Sequence, residues 1–261
     1  MSIDRSRLSK QVRKDPALLV PQEDRYNRVL QTHFRVLGSG ILDVFVDAGG
    51  RRMEGLIEQG FLYNDFDRGV STVIENHRPQ LPPIAHKYSE QAVLSGWQRA
   101  NQWMALQGYP DITVPLDPMI LETVSNRNLK AIMNVEDVMA EQIRESVSEG
   151  LKAGEGSLQI RDRIIGRVKN IGYARAELVA REETRHAYRA ARDARYRAHG
   201  VERVQWLTAG DEQVCGICEP LDMQIYNAGE EPEYHVRCRC ETVPVSYEGG
   251  LGTTITTPED L

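Results

Sequence analysis

The sequence predicts a mainly α fold of the α+β class, in which a helical domain is followed by a small lobe that contains strands. Three observations support this prediction. Apolar residues recur at helical spacing through most of the chain before Gly200. After Gly200 they alternate as they do in strands. All four cysteines lie between residues 215 and 240, which is typical of a metal site rather than of disulfides spread along a chain.

The composition is that of a folded protein. The chain has 261 residues, of which 41% are hydrophobic and 27% are charged, enough for one large domain or two modest ones with a core. No apolar run approaches the roughly 18 to 20 residues that a membrane span needs. The first 13 residues lack the apolar stretch of a secretory signal. The net charge of −6 excludes a protein whose whole surface wraps nucleic acid.

Residues 1–85 are predicted to form a variable N-terminal helical region. Apolar residues follow helical spacing over 24–46 and again over 53–75. Two glycines, Gly38 and Gly40, are expected to weaken or divide the first of these helices. Three closely spaced prolines, through which a helix cannot continue, predict a linker after the second helix. These prolines are Pro79, Pro82 and Pro83.

Four more helices are predicted before Gly200. The first covers residues 89–106 and is followed by a proline-rich loop. The next is expected to begin at Asn134, a favourable N-cap with acidic residues in the first turn. A short helix is expected to begin at Ser157, and a long one to run from about residue 173 to residue 198.

Strands are predicted only in the last part of the chain. Apolar residues alternate at residues 204–208 and again at residues 243–247. The segment between them contains the cysteines and many turn-forming residues. Residues 249–261 have no apolar period and are predicted to be a flexible tail.

The cysteines and one histidine predict a zinc site in this lobe. Cys215 and Cys218 have the spacing of a tight metal-binding turn, and His235 and Cys238 repeat that spacing. Zinc takes four nitrogen or sulfur ligands in a tetrahedron. The simplest set is therefore these four residues, and Cys240 is either a spare ligand or replaces His235. Spacing alone leaves this choice open.

Four protein ligands would leave no position for water, so the zinc would be structural. It would stabilise a lobe over about residues 201–247 that is too small to be stabilised by burial alone. The alternative is a set of buried free thiols, or a disulfide such as Cys215 to Cys218.

The long helix before this lobe is rich in arginine. Seven arginines but only four acidic residues lie between residues 173 and 198. One interpretation is a solvated face with ion pairs. The other is a positive surface that contacts an acidic partner protein or DNA phosphates. The candidate contact residues are Arg185, Arg189, Arg192 and Arg195. A seam of alanines on the same helix should let another helix approach closely.

Several motifs follow one another in a fixed order near the end of the chain. They are Ala180-Arg181-Glu182-Glu183-Thr184, the arginine-rich helix, Gly200-Val201, Trp206, Asp211, Cys215-x-x-Cys218, His235-x-x-Cys238-Arg239-Cys240 and Pro244-Val245. This order resembles the phage Mu F-like head morphogenesis (minor capsid) family over about residues 90–247. Two positions depart from it: relatives usually have Thr in place of Glu182 and Pro in place of Val236.

The resemblance implies a minor head protein without established catalytic activity, present in few copies near the portal. Its implied partners are the portal protein, capsid or scaffold proteins and phage DNA. Its implied location is the interior of the virion head, and the host cytoplasm during assembly. The family domain would cover residues 86–248, and residues 1–85 are then candidates for docking on the portal or capsid.

Two alternatives from other functional classes remain at this point. One is a zinc-containing nuclease, for which Asp211, Glu212 and Glu219 could supply carboxylates beside the metal. The other is a DNA-binding module that uses the arginine-rich helix, which is compatible with a packaged head protein.

Overall fold

The predicted fold class is confirmed by a computed structural model, which describes Asp15 and residues 17–46, 61–111 and 113–245. Within these described residues, five α-helices precede a small sheet. The helices are α1 Val20–Phe45, α2 Phe61–His77, α3 Leu81–Leu106, α4 Pro118–Lys152 and α5 Ser157–Ala198, and the strands are β1 Arg203–Leu207, β2 Ile225–Asn227 and β3 Glu241–Pro244. The predicted tail and residues 47–60 lie outside the described residues. Within the described part of the chain, no helix has the length and apolar character needed to cross a membrane.

The three prolines after α2 begin a helix instead of forming a linker. Helix α2 ends at His77, as the prolines require, and a 3-10 turn over Arg78–Gln80 contains Pro79. Helix α3 then begins at Leu81. Pro82 and Pro83 lie in its first turn, where a backbone N–H has no acceptor within the helix, so their missing N–H groups cost nothing there.

Helix α4 begins earlier than predicted. Its first residue is Pro118, and the carboxylate of Asp117 accepts a hydrogen bond of 2.9 Å from the Met119 N–H. An aspartate N-cap followed by proline at the first helical position is a strong start signal. Asn134, the predicted start, therefore lies in the interior of the helix.

The two helices predicted after residue 156 are one continuous helix. Helix α5 runs from Ser157 to Ala198, and the side chain of Gln159 accepts a hydrogen bond of 2.9 Å from the Gly156 N–H. The capping residue is therefore Gly156 rather than the predicted Ser157. The predicted break before Tyr173 is absent. Gly172, the residue before it, packs closely against α1, since a Cβ atom there would lie 3.3 Å from the side chain of Phe34.

The glycines of α1 are sites of close packing and do not divide the helix. A Cβ atom at Gly38 would lie 2.2 Å from a methyl group of Val168 on α5, and one at Gly40 would lie 3.1 Å from Val73 on α2. Glycine at these positions lets the helix axes approach, which explains why α1 is continuous where the sequence predicted a weak point.

The chain forms two compact units. The helical unit comprises residues Glu23–Lys87 and Ser125–Arg181, and the sheet unit comprises the described residues of Met1–Gln22, Tyr88–Val124 and Glu182–Leu261. These units do not follow the sequence boundary placed at residue 85, and the division into domains 1–85, 86–248 and 249–261 stays a prediction.

The sheet has three antiparallel strands in the order β2-β1-β3. Strands β1 and β3 correspond to the two predicted strands, and Gln205 pairs with Val243 across them. Strand β2 was not predicted, because its three residues are too few to show an alternating pattern. In the sheet unit, Trp103 and Leu106 of α3 pack on Leu207 and Val243, which buries one side of the sheet.

Helices α3 and α5 approach closely within the sheet unit, as the alanine seam predicted. Ala187 and Ala191 of α5 pack against Ala92 and Val93 of α3. A Cβ atom at Gly96 would lie 2.1 Å from the main-chain oxygen of Tyr188. Because that oxygen belongs to the backbone of a helix, it cannot move aside as a side chain could.

We therefore expect Gly96→Ala to destabilise the protein by about 1–3 kcal/mol, the usual cost of overpacking. Gly166→Ala is the matched control, since a Cβ atom there meets nothing within 4 Å. That substitution should stabilise helix α5 by roughly 0.5–1 kcal/mol. Urea unfolding followed by circular dichroism compares the two variants, and equal effects of the same sign would contradict the close approach.

Candidate metal centre

Two similar turns carry the first four ligand candidates. The first lies between β1 and β2, where the Cys218 N–H donates a hydrogen bond of 3.0 Å to the Cys215 carbonyl. The second lies before β3, where the Cys238 N–H donates in the same way, at 3.0 Å, to the His235 carbonyl. Each turn thus folds its two candidate side chains onto one side, which is the arrangement that the repeated spacing predicted.

The candidate atoms are as close as the ligands of one metal ion. The His235 Nε2 atom lies 3.1 Å from the Cys215 sulfur and 3.0 Å from the Cys218 sulfur. The sulfurs of Cys218 and Cys238 are 3.8 Å apart. With zinc–sulfur bonds of about 2.3 Å, the edge between two sulfurs of a tetrahedron is also about 3.8 Å. The sulfur pair therefore has the separation of tetrahedral zinc ligands, and the histidine contacts are somewhat shorter.

The imidazole of His235 is oriented as a ligand would be. Its Nδ1 atom lies 2.8 Å from the Val236 carbonyl, which can only accept a hydrogen bond, so the proton is on Nδ1. Nε2 then carries the lone pair that faces the two sulfurs. Metal-bound histidines are fixed in this way by a hydrogen bond from the other ring nitrogen. The same hydrogen bond raises the pKa of His235.

All five predicted candidates lie in this cluster. Their ligand atoms form two groups, Cys215 with Cys218 and His235, and Cys218 with Cys238 and Cys240, and within each group the atoms lie within 4.8 Å of one another. Cys218 belongs to both. The four cysteines are free thiols, so the alternative disulfide is not formed. The donor set is that of a soft or borderline metal ion, and the cluster can hold one.

The thiols differ in how readily they become thiolates, the form that binds metals. A hydrogen bond from the Cys240 thiol lowers the pKa of Cys238 to about 5, against the opposing effect of burial. That same hydrogen bond, together with burial, raises the pKa of Cys240. Burial raises the pKa of Cys218 to about 12. Cys238 is therefore ready to bind at neutral pH, whereas Cys218 must release a proton when a cation binds.

Aromatic side chains cover the cluster. Trp206 of β1 packs against Cys218, Cys238 and Cys240. Its ring stacks on that of Tyr234, with the centroids 4.6 Å apart. Burial raises the pKa of Tyr234 to about 12, so the phenol is neutral. Tyr234 was missed in the sequence, where its place directly before His235 was the only signal.

The carboxylates considered for a nuclease site have other positions. Both oxygens of Asp211 accept hydrogen bonds from the Arg239 guanidinium, at 2.5 and 2.7 Å. Glu212 and Glu219 are exposed. Among the described residues, neither of the two groups of potential metal ligands includes a carboxylate.

Three of the four arginines considered as a contact surface are buried. Arg185, Arg192 and Arg195 are only 2%, 0% and 4% exposed. Arg185 binds the Asp15 carboxylate at 3.2 Å, and Arg192 forms an ion pair with the fully buried Glu241. The interpretation of these three as an exposed positive surface was therefore wrong, because each has partners within the chain. Contact with DNA or a partner through them stays a prediction.

The fourth arginine, Arg189, is half-buried and contacts the segment that carries Cys238 and Cys240. Its guanidinium lies 3.6 Å from the centroid of the Tyr234 ring. One of its nitrogens donates to the carbonyls of Cys238 and Cys240, at 3.3 and 3.4 Å. The burial of Glu241, the ion-pair partner of Arg192, was not predicted either, since a glutamate directly after Cys240 gives no sign of burial.

Comparison with known families connects this site to one of them. Residues 141–243 match the family described as Phage Mu protein F like protein. No curated protein and no solved structure shows a significant match to the chain. The matched stretch contains all of α5, β1 and β2, most of β3 and the five ligand candidates. Over residues 141–243 the chain is therefore similar to the phage Mu protein F-like family.

Proposed function

We propose that this protein is a minor head protein that acts in assembly of the phage prohead near the portal, and in DNA packaging or ejection. The observation that carries the proposal is the family match over residues 141–243. The proposed partners are the portal protein, capsid or scaffold proteins and phage DNA. The proposed location is the head interior of the virion, after assembly in the host cytoplasm.

The metal in this proposal is a structural zinc ion bound by Cys215, Cys218, His235 and Cys238. The sulfur separation of 3.8 Å between Cys218 and Cys238 supports tetrahedral coordination. The position of His235 Nε2 between two sulfurs supports it as the nitrogen ligand. Cys240 is then the thiol that donates a hydrogen bond to Cys238 rather than a fifth ligand.

A genetic experiment tests the role in head assembly. Deleting the gene from a phage that carries it should leave heads that are malformed or empty in electron micrographs. Complementation with the wild-type gene should restore DNA-filled heads, and mass spectrometry of purified virions should detect the protein in few copies. Normal infectious particles without the protein would contradict the proposal. Metal-dependent DNA cleavage that disappears in Asp211→Ala would instead favour a nuclease.

The N-terminal region of residues 1–85 is proposed to contact the portal or capsid. Cross-linking of the full chain inside proheads tests this, because it leaves helices α1 and α2 in place within the helical unit. Cross-links to the portal or capsid should come from this region. If they come only from residues after 85, the contact lies elsewhere.

A further inference from the structure

One face of helix α5 lies against the segment that carries the ligand candidates His235, Cys238 and Cys240. Glu182, Arg185, Arg189 and Arg192 alternate in steps of three and four residues, which places them along one side of the helix. Two of these side chains contact the segment that carries His235, Cys238 and Cys240, and they contact its backbone rather than its side chains. This face of α5 therefore restrains the path of the main chain between the ligand candidates.

Arg189 contacts this segment at its C-terminal end. One Nη atom has two hydrogens, and it donates to the carbonyls of both Cys238 and Cys240. These carbonyls belong to the two residues whose sulfurs lie within 4.8 Å of the Cys218 sulfur. Fixing the carbonyls therefore restrains the main chain at both thiols. The Tyr234 ring below the guanidinium holds it in place, with a separation of 3.6 Å.

Glu182 contacts the same segment at the turn. Its carboxylate accepts a hydrogen bond of 2.5 Å from the backbone N–H of Arg237. Arg237 has a φ angle of 63°, a left-handed conformation that is unfavourable for a residue with a side chain. A charge-assisted hydrogen bond to this N–H offsets part of that cost. Because the turn between His235 and Cys238 depends on this conformation, Glu182 stabilises the relative position of two ligands.

We propose that Glu182 and Arg189 of α5 are positioning residues of the metal centre. They hold the main chain of this segment at Arg237, Cys238 and Cys240, so that the ligand atoms converge before the ion binds. The inference rests on the proposed zinc site and deepens it. The arginine-rich helix then contributes to metal affinity. This role differs from both interpretations made from the sequence, a solvated face with ion pairs and a contact surface for DNA or a partner.

Zinc affinity of the full-length protein, measured by competition with a chromophoric chelator, tests this role. Outer contacts of metal ligands typically contribute 10- to 100-fold in affinity. We expect Arg189→Met to weaken zinc binding by about that factor. Arg197→Met is the matched control, because Arg197 is on the same helix but exposed, and its affinity should equal that of the wild type.

Glu182 provides a second and milder pair of variants. Glu182→Ala should weaken zinc binding, whereas Glu182→Gln keeps an oxygen acceptor and should retain most of the affinity. The visible absorption spectrum of the cobalt-substituted protein should change in Arg189→Met and Glu182→Ala and stay unchanged in Glu182→Gln and Arg197→Met. A residue that only stabilises the fold would not alter the geometry that this spectrum reports.

The outcomes separate this inference from the proposal on which it rests. If the wild-type protein binds no zinc, the proposed site and the positioning role both fail. If the wild type binds zinc and Arg189→Met and Glu182→Ala bind it within twofold of the wild type, the positioning role is overturned while the site stands. Equal destabilisation of the zinc-free and zinc-bound forms would likewise overturn it, because affinity would then be unchanged.

Discussion

Replacing Cys218 by serine is expected to abolish metal binding and to unfold the lobe over the described residues 201–245. Cys218 is the thiol that belongs to both groups of ligand atoms, and it is buried. Without it, neither group keeps three ligands. Structural zinc contributes on the order of 10–16 kcal/mol of apparent binding free energy in zinc-finger peptides. Losing even part of that exceeds the effect of most single substitutions in a protein of ordinary stability.

Metal content and the environment of Trp206 measure this effect. Elemental mass spectrometry should find one zinc per wild-type chain and none in Cys218→Ser. The fluorescence of Trp206 should shift, because the ring loses its packing against the cysteines. A strong chelator added to the wild type should reproduce the shift. Cys238→Ser should behave like Cys218→Ser.

Cys240→Ser is the matched control for these variants, since it makes the same change in the same buried cluster. It should retain one zinc per chain. Loss of zinc in Cys240→Ser with retention in a His235→Ala variant would contradict the proposed ligand set and favour a site made of four cysteines. Full zinc content in Cys218→Ser would contradict the site altogether.

Replacing Arg192 by methionine is expected to destabilise the protein by about 3–5 kcal/mol, the usual cost of removing one partner of a buried ion pair. Arg192 and Glu241 are both 0% exposed and bind each other directly. Burial alone would lower the pKa of Arg192, but Asp193 and Glu241 outweigh it and raise the pKa, so the guanidinium stays charged. Methionine preserves much of the apolar stem but leaves the Glu241 carboxylate buried without this cation.

A double-mutant cycle in urea measures the interaction between the two residues. The expected cause is the unpaired carboxylate, so the double variant Arg192→Met and Glu241→Gln should be more stable than Arg192→Met alone. A loss below about 1 kcal/mol in Arg192→Met would show that solvent reaches the pair, as it does for surface ion pairs.

The cluster of candidate metal ligands could be predicted from the sequence because the pattern that identifies it is local. Ligands in each turn are three residues apart, and the geometry of one tight turn brings them together. Strand β1 could be predicted for a similar reason, since alternation shows within five residues. The start of α4 was not predicted correctly. Asn134 has the sequence features of an N-cap, but Asp117 followed by Pro118 is a stronger start signal, and the helix begins there.

The burial of Arg185 and Arg192 could not be predicted, because the buried carboxylates that they contact are distant in the sequence. Arg185 meets a carboxylate at Asp15 and Arg192 meets one at Glu241. A row of arginines along a helix is normally exposed to solvent. Its burial becomes favourable only when carboxylates from other parts of the chain pair with the guanidinium groups. Nothing near these arginines in the sequence identifies those charges.

The position of the two cysteine turns within the sheet has a consequence for the order of folding. Pairing of Leu207 with Glu241 closes a long loop between β1 and β3, and both turns lie inside it. A metal ion that joins Cys215 to Cys238 shortens this loop to roughly a third, which lowers the entropy cost of closure by about 1 kcal/mol. Capture of the ion therefore lowers the effective contact order of the central strand pair, and fast strand formation is favoured once the metal is bound.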